Sequence, residues 1–287
     1  MSNRPGLEQT IKQVITQAES TIRESETSRL DAELLIAHAL DVTRAYLYTW
    51  PDKTLTTVQL DKIQPLIEQR AKGIPVAYLI GKREFWSLSL NVTADTLIPR
   101  PETELLVEAI LDNLSEQDTK QVLDLGTGSG AIALAVAAER PMCQVIATDF
   151  SPSALRVAQK NAMSLKLSNL NFIQGDWLDA IGHTQFDIIV SNPPYIAEHD
   201  PHLAQGDVRY EPTSALVAKS HGLACLENII VHAARCLKPG GMLWLEHGNT
   251  QAEAVRQYLS SQYYQDIQTK QDLAGRDRIS GGYLPEN

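Results

Sequence analysis

The second half of the chain alternates short apolar runs with amphipathic segments, and this rhythm is the strongest constraint on its fold. Parallel strands need a crossover connection, which is usually a helix, so the alternation predicts a mostly parallel sheet with helices on both faces. The predicted strands are residues 121–125, 144–148, 170–174, 186–190 and 241–246, and the predicted helices are 130–139, 152–165, 222–237 and 250–260. Residues 262–284 are typical of a terminal antiparallel hairpin. We therefore expect an α/β domain.

The N-terminal part has a different, purely helical pattern. Residues 5–72 place apolar side chains at helical spacing, and short connections between such segments predict a small bundle. The first predicted helix has one apolar face formed by Leu7, Ile11, Val14, Ile15, Ala18 and Ile22. His38 falls on the apolar side of the second predicted helix, where a packed histidine is expected. Residues 76–81 and 85–92 alternate instead, which predicts short paired strands.

These patterns divide the chain into three predicted segments. Residues 1–76 would be a helical bundle, residues 77–96 a β-hairpin linker and residues 97–287 the larger α/β domain. Residues 196–220, within this last segment, have no clear period and predict a long loop of the kind that is usually functional or mobile.

Composition and charge narrow the class of protein. The chain is 43% hydrophobic and 21% charged, which is ordinary for a soluble protein, and it contains no apolar run of about 20 residues that could span a membrane. No apolar segment follows Met1–Pro5, and the three cysteines have neither disulfide-framework nor metal-ligand spacing, so we expect a cytoplasmic protein without a metal. The net charge is −10, of which −9 falls in residues 81–287. That charge repels phosphate backbones, so stable nucleic-acid binding is not expected.

Ligand-type residues follow four successive predicted strands. A glycine-rich loop follows the first, in a G-x-G-x-G pattern that lets the backbone approach a ligand closely. Asp149 ends the second strand and can accept hydrogen bonds from a ribose, and Asp176 and Trp177 follow the third and can bracket a base. Asn192 follows the fourth. The loop residues are Gly126, Thr127, Gly128, Ser129 and Gly130.

The fourth strand ends in the sequence Asn192-Pro193-Pro194-Tyr195. The prolines donate no backbone hydrogen bond and restrict the residues before them, so this stretch predicts a rigid corner rich in hydrogen-bond acceptors. The Asn192 side-chain oxygen and the Pro193 carbonyl can bind the two N–H groups of a planar amine or amide. Tyr195 can pack on the plane of that group. The alternative interpretation is a double-proline turn that only ends the strand.

The order of these strand ends resembles the class I S-adenosylmethionine-dependent methyltransferases, which have a Rossmann-like fold, and the corner resembles their amino-methylating branch. Longer stretches resemble the release-factor glutamine methyltransferases, the HemK/PrmC family. These stretches are residues 75–81, 84–88, 96–104, 211–216 and 272–278.

This resemblance implies an enzyme that methylates the glutamine N5 in the Gly-Gly-Gln motif of peptide-chain release factors, with S-adenosyl-L-methionine as methyl donor. We also predict that the bundle helps to dock the protein substrate, and we expect a monomer. The implied catalytic residues are Asn192, Pro193 and Tyr195. The implied cofactor contacts are residues 126–130, Asp149, Trp177 and Asn192, and the implied glutamine contacts are Asn192 to Tyr195.

Three alternatives remain at this point. A ribosomal-protein glutamine methyltransferase would share the corner and the cofactor site. An adenine-N6 methyltransferase is disfavoured by the negative charge and by the lack of a basic or aromatic target-recognition segment. A binding module that retains the methyl donor without turnover is disfavoured because Asn192 and Tyr195 are intact.

Overall fold

The computed structural model describes residues 9–182 and 184–286. Of the sequence predictions, Leu7 lies outside these residues. The described chain divides into two compact units. One contains the residues up to Gly81 together with Pro201–Tyr210, and the other contains Lys82–Asp200 and the residues from Glu211 onward.

The first unit is helical, as predicted. Its elements are β1 (Gln9–Thr10), α1 (Ile11–Thr21), α2 (Ser28–Leu40), α3 (Arg44–Thr49), β2 (Thr54–Leu55), α4 (Thr57–Ala71) and α5 (Val76–Ile80). Capping boxes at Thr10 with Gln13 and at Thr56 with Gln59 satisfy backbone groups at the first turns of α1 and α4. Apolar faces of α1, α2 and α4 meet in one core, which includes the fully buried Ile11.

Two expectations for this unit were wrong. Val76–Ile80 form the helix α5 rather than a strand. Pro75 precedes its first residue and Gly81 ends it with a φ of 75°, so local start and stop signals outweigh the short apolar alternation. His38 is exposed rather than packed, since it lies one position outside the buried stripe of α2.

Arg70 of α4 forms a buried ionic network within this unit. Its Nε lies 2.7 Å from an Asp31 carboxylate oxygen, and its Nη1 lies 2.7 Å from Asp207. The Arg70 and Asp31 side chains are only 10% and 7% exposed. The segment 201–210 is therefore fastened to the helices through the shielded Arg70 guanidinium, although the Asp207 side chain itself is 40% exposed.

Replacing Arg70 by alanine should leave the Asp31 carboxylate buried and unpaired. We expect the free energy of unfolding to fall by about 3 kcal/mol. Urea denaturation followed by circular dichroism measures this change. Arg235→Ala is the control, because Arg235 forms its ion pair with Asp179 at the surface, where the two side chains are 59% and 82% exposed and such pairs contribute little. Equal midpoints for the two variants would contradict the account of this network.

The second unit contains a seven-stranded sheet with the strand order β12-β13-β11-β8-β5-β6-β7. Strands β5, β6, β7, β8 and β11 pair in parallel and β13 is antiparallel to its neighbours, which confirms the predicted parallel sheet with its terminal antiparallel hairpin. The strands are β5 (Gln121–Leu125), β6 (Gln144–Asp149), β7 (Leu170–Gln174), β8 (Phe186–Ser191), β11 (Leu237–Glu246), β12 (Gln265–Gln271) and β13 (Asp277–Tyr283).

Helices cover both faces of this sheet. They are α6 (Glu104–Leu111), α7 (Ala131–Glu139), α8 (Pro152–Leu165), α9 (Ala224–Ala233) and α10 (Ala252–Ser261). Alternate residues of each strand feed opposite cores, so Val122 packs with α6, α7 and α8 while Leu123 packs with α9 and α10. This two-sided burial explains why the strands are continuous apolar runs.

Two smaller pairs of strands complete the second unit. The hairpin of β3 (Lys82–Phe85) and β4 (Leu88–Asn91) buries Phe85 and Leu90 in the core beneath α6. Strands β9 (Ile196–Ala197) and β10 (Val217–Ala218) pair in parallel at the two ends of the long loop. In the described residues, none of the helices is long and apolar enough to cross a membrane.

Candidate active site

The carboxyl ends of β5, β6, β7 and β8 meet at one edge of the sheet. Leu125 at the end of β5 pairs with Ser191 of β8 on one side and with Thr148 of β6 on the other. From β5 the chain continues to β6 and β7 on one side, and then crosses back to β8 on the other side of β5. Open α/β sheets bind their ligands at such a switch point. The residues that follow these strands are therefore neighbours.

The glycine-rich loop after β5 turns sharply into α7. Gly126 has a φ of 70°, and a Cβ atom there would lie 3.4 Å from the indole of Trp177. Gly130, with a φ of 88°, begins α7, and a Cβ atom there would lie 2.8 Å from Leu134. Both positions therefore favour glycine for the backbone conformation, and Gly130 favours it for space as well.

Asp149 holds this loop and the next turn together. Its Oδ2 accepts a hydrogen bond from the Gly128 amide and its Oδ1 accepts one from the Ser151 amide, both at 2.8 Å. Burial raises the pKa of Asp149 above its ordinary value, although the two amide hydrogen bonds oppose the increase. Each carboxylate oxygen keeps a second lone pair for a ligand hydroxyl.

Asp124 lies beneath the same loop and was not among the predicted site residues. Its Oδ2 accepts a 2.6 Å hydrogen bond from the Thr127 hydroxyl, and among the described residues its buried Oδ1 has no partner. Burial raises the pKa of Asp124 to about 7. Asp124 lies within a predicted buried strand, where its position in the pattern does not distinguish it from a structural residue. The only sequence signal for a role in the site is that it comes shortly before the glycine-rich loop.

This raised pKa makes stability depend on pH. Below the unfolded-state pKa, Asp124 is protonated in both states and does not oppose folding. As pH rises, the unfolded chain ionises first, so stability falls until pH passes the folded-state value near 7. Asp124→Asn should remove this dependence, and we expect the free energy of unfolding of the wild type to fall relative to the variant by about 3 kcal/mol between pH 5 and pH 8.

Urea denaturation at several pH values, without added ligand, measures this difference. Asp112→Asn is the control, because the Asp112 side chain is 66% exposed. Parallel curves for the wild type and Asp124→Asn over this pH range would refute the assignment of a raised pKa to Asp124.

A cavity of about 380 Å³ opens where these elements meet. The predicted residues that line it are Gly126, Thr127, Gly128, Ser129, Asp149, Trp177, Asn192 and Pro194. Gly130, Pro193 and Tyr195 do not line it. Phe150 lines the cavity and is 72% exposed, which identifies it as a further aromatic side chain for a flat ligand.

The long loop contributes to the wall of this cavity through residues 212–217. Glu211 anchors the C-terminal part of this loop to the stretch around Arg100. Its buried carboxylate forms an ion pair with Arg100 and accepts a 3.0 Å hydrogen bond from the Ile98 amide. These contacts join two stretches that are distant in sequence, and neither was predicted to contain site residues.

The proline-rich corner lies directly after β8. The Asn192 Nδ2 donates a 3.2 Å hydrogen bond to the Thr103 hydroxyl. The Tyr195 hydroxyl donates a 3.0 Å hydrogen bond to the buried Glu246, and burial raises the Tyr195 pKa so that the phenol stays neutral. Asn192 thus lines the cavity, while the hydroxyl of Tyr195 is anchored to Glu246.

The donor set of this cavity fits S-adenosylmethionine. Asp149, Trp177, Phe150 and the glycine loop line it together. A carboxylate of this kind suits ribose hydroxyls, aromatic faces suit adenine, and a glycine loop leaves space for the backbone to approach a ligand. Asn192 brings a neutral amide next to this space. In residues 9–182 and 184–286 there is no cluster of three or more His, Cys, Asp or Glu side chains that could hold a metal.

The fold and the cavity together define a class I S-adenosylmethionine-dependent methyltransferase. A family model described as a methyltransferase domain matches residues 116–277, and one described as the PrmC N-terminal domain matches residues 13–81. A Pyrococcus furiosus methyltransferase of known crystal structure shares the fold, with a TM-score of 0.53 at 18% identity over 69% of this chain and 89% of that chain.

Curated relatives define the family more narrowly. A release factor glutamine methyltransferase of Xylella fastidiosa is 51% identical, over 90% of this chain and 94% of its own. One of Escherichia coli is 47% identical, over 93% of this chain and 96% of its own. The chain belongs to the release factor glutamine methyltransferase family.

Proposed function

We propose that this protein transfers the methyl group of S-adenosylmethionine to the side-chain amide nitrogen of the Gly-Gly-Gln glutamine in peptide-chain release factors. The observation that carries the proposal is the position of Asn192, which lines the cofactor cavity and has its Nδ2 bound to Thr103. Its Oδ1 is then the amide atom that remains as an acceptor for a substrate N–H.

The chemistry requires positioning more than a strong base. An amide nitrogen is a poor nucleophile because its lone pair is delocalised into the carbonyl. Bound S-adenosylmethionine supplies an electrophilic methyl group on a sulfonium. The nitrogen–carbon bond forms as the carbon–sulfur bond breaks, and the methylated nitrogen releases one proton to solvent.

In this scheme the corner orients the amide. The Asn192 Oδ1 and the Pro193 carbonyl accept its two N–H groups and turn the lone pair toward the methyl group. Tyr195, anchored to Glu246, packs against the amide plane. Such orientation and electrostatic complementarity can supply most of the rate enhancement.

The relatives' names favour a release factor over the alternative substrates. The relatives from Xylella fastidiosa and Escherichia coli are release factor glutamine methyltransferases rather than ribosomal-protein or adenine methyltransferases. The net charge of −10 also disfavours a nucleic-acid substrate. We propose a cytoplasmic monomer that forms no stable complex with nucleic acid.

A transfer assay with two forms of one release factor tests this function. Wild-type protein and labelled methyl donor should label a factor with an intact Gly-Gly-Gln motif, and should not label a factor in which that glutamine is replaced by glutamate. Equal labelling of the two factors would contradict the proposed target.

We propose further that the first unit, with residues 1–76 as its sequence-predicted extent, docks the release factor, while residues 77–96 connect it to the catalytic domain at 97–287. The aromatic side chains of Tyr48 and Trp50 support this role, because they are 59% and 56% exposed on the helical unit. Exposed tryptophan and tyrosine are the residues most often found at the energetic centre of protein interfaces.

Trp50→Ala should therefore weaken substrate docking without altering the chemistry. We expect KM for the intact release factor to rise about tenfold, since such anchors often contribute more than 1 kcal/mol. Transfer to a short Gly-Gly-Gln peptide should be unchanged. Met163→Ala, at a side chain 73% exposed in the other unit, is the control. The docking role of this surface fails if KM for the intact factor is unaltered in Trp50→Ala.

A further inference from the structure

A buried chain of hydrogen bonds runs behind the proline-rich corner. Glu246, the last residue of β11, is 1% exposed. Its Oε1 accepts from the Tyr195 hydroxyl at 3.0 Å, and its Oε2 accepts from the Thr103 hydroxyl at 2.7 Å. Thr103, 4% exposed, in turn accepts from the Asn192 Nδ2 at 3.2 Å. One carboxylate thus connects to both ends of the corner, directly to Tyr195 and through Thr103 to Asn192.

The direction of each bond in this chain follows from an ionised Glu246 carboxylate, which can only accept. A hydroxyl has one proton, and Thr103 gives its proton to Glu246. The Thr103 oxygen can therefore only accept from Asn192, so the NH₂ group of that amide must face it. The opposite amide orientation would place two oxygens together with no proton between them.

We propose that Thr103 and Glu246 are positioning residues that fix the Asn192 amide with its oxygen as the acceptor for the substrate amide. The proposal rests on the methyl-transfer function above and deepens it. Glu246 touches neither reacting atom in this account and acts through Thr103. It also holds the Tyr195 hydroxyl, which restrains the ring at the other end of the corner.

The surroundings of Glu246 fit an acceptor of two hydrogen bonds. Burial raises the carboxyl pKa of Glu246 above its ordinary value, although the Thr103 and Tyr195 hydroxyls and the charge of Arg278 oppose the increase. Arg278 is itself held by Asp272, 2.9 Å away. Burying a carboxylate without hydrogen-bond partners would cost folding free energy. The two hydroxyl donors avoid this cost, because each oxygen of Glu246 has a partner.

Thr103→Val and Thr103→Ser test the proposal. Valine has nearly the shape of threonine but no hydroxyl, so the Asn192 amide loses its fixed orientation. We expect kcat for release-factor methylation to fall by about tenfold to hundredfold, with cofactor affinity changed less than about threefold. Serine keeps the hydroxyl and should retain kcat within about threefold of the wild type.

The control is Thr269→Val, which makes the same change outside the cavity. The Thr269 hydroxyl bonds Ser280 at 2.8 Å and Arg256 at 3.0 Å, so its loss also breaks two hydrogen bonds. This variant should keep the kcat of the wild type. A purely structural role for Thr103 would give Thr103→Val and Thr269→Val the same small effect on kcat, and that result would overturn the proposal.

Glu246→Gln provides a second test that holds even if Thr103→Val fails to fold. Glutamine offers one acceptor oxygen to two hydroxyl donors, so either Thr103 or Tyr195 must reorient. A fall in kcat with cofactor affinity retained supports the proposal, and a kcat within twofold of the wild type overturns it. Failure of the function itself would look different, because wild-type protein would then leave the release factor unlabelled.

Discussion

Asn192→Ala should bind S-adenosylmethionine with nearly wild-type affinity and yet transfer its methyl group about 10³-fold more slowly. The residue lines the cavity beside the glycine loop but contributes no charge to it. Its proposed contribution is an oriented acceptor, which matters only when the substrate nitrogen aligns for attack. The expected loss therefore falls on kcat, measured at saturating donor and release factor.

Asn171→Ala is the matched control for this variant. Asn171 is exposed on β7, and the same truncation there removes no contact with the cavity. Calorimetric titration with the methyl donor completes the comparison. A rate for Asn192→Ala within threefold of the control would eliminate the proposed role of the corner.

Asp149→Ala should have the opposite effect, with the loss in the affinity for S-adenosylmethionine rather than in the rate of methyl transfer. The variant removes acceptors for the ribose hydroxyls and also the bonds that hold the Gly128 and Ser151 amides. Loss of charge-assisted hydrogen bonds of this kind costs about 2–3 kcal/mol, which corresponds to roughly a 30- to 150-fold higher dissociation constant. Titration calorimetry measures it directly.

Titrations at several pH values sharpen this test. Because burial raises the pKa of Asp149, protonation should begin to weaken binding at a higher pH than an ordinary aspartate would allow. Asp149→Asn should bind more weakly than the wild type at neutral pH but lose this dependence. Asp179→Ala, at a side chain 82% exposed, is the control. Wild-type affinity in Asp149→Ala would place the ribose elsewhere.

The sequence predicted the sheet well because its central strands, such as β5 and β8, are buried on both faces. A segment such as Phe186–Ser191 has to be a continuous apolar run, and the glycines and prolines after the strands mark where each one ends. Ligands of open α/β sheets bind at the carboxyl ends of the parallel strands, so Gly126, Asp149 and Asn192 were expected together at that edge of the sheet. Their positions around the cavity needed no information beyond strand order.

The failures have local physical causes. The five residues of α5 are too short for periodicity to separate helix from strand, and the flanking Pro75 and Gly81 decided the outcome. The exposure of His38 depends on how α2 is rotated against its neighbours, which its spacing alone does not fix.

Contacts between distant stretches were also beyond sequence reasoning. Glu246 and Thr103 are 143 positions apart, and Glu211 and Arg100 are 111 apart. The sequence around each residue does not identify its partner. Each buried acid is surrounded by apolar residues, as any buried polar residue would be, whether or not it lies near a site. Only the fold shows that the first pair contacts the proline-rich corner.

The most direct test of the account is to locate the transferred methyl group. Wild-type protein is incubated with isotopically labelled S-adenosylmethionine and an intact release factor, and the factor is digested and read by tandem mass spectrometry. The account predicts a single methyl group on the side-chain nitrogen of the Gly-Gly-Gln glutamine, and no label there with Asn192→Ala over the same time. A methyl group on any other residue, or on nucleic acid added to the reaction in place of the factor, would contradict it.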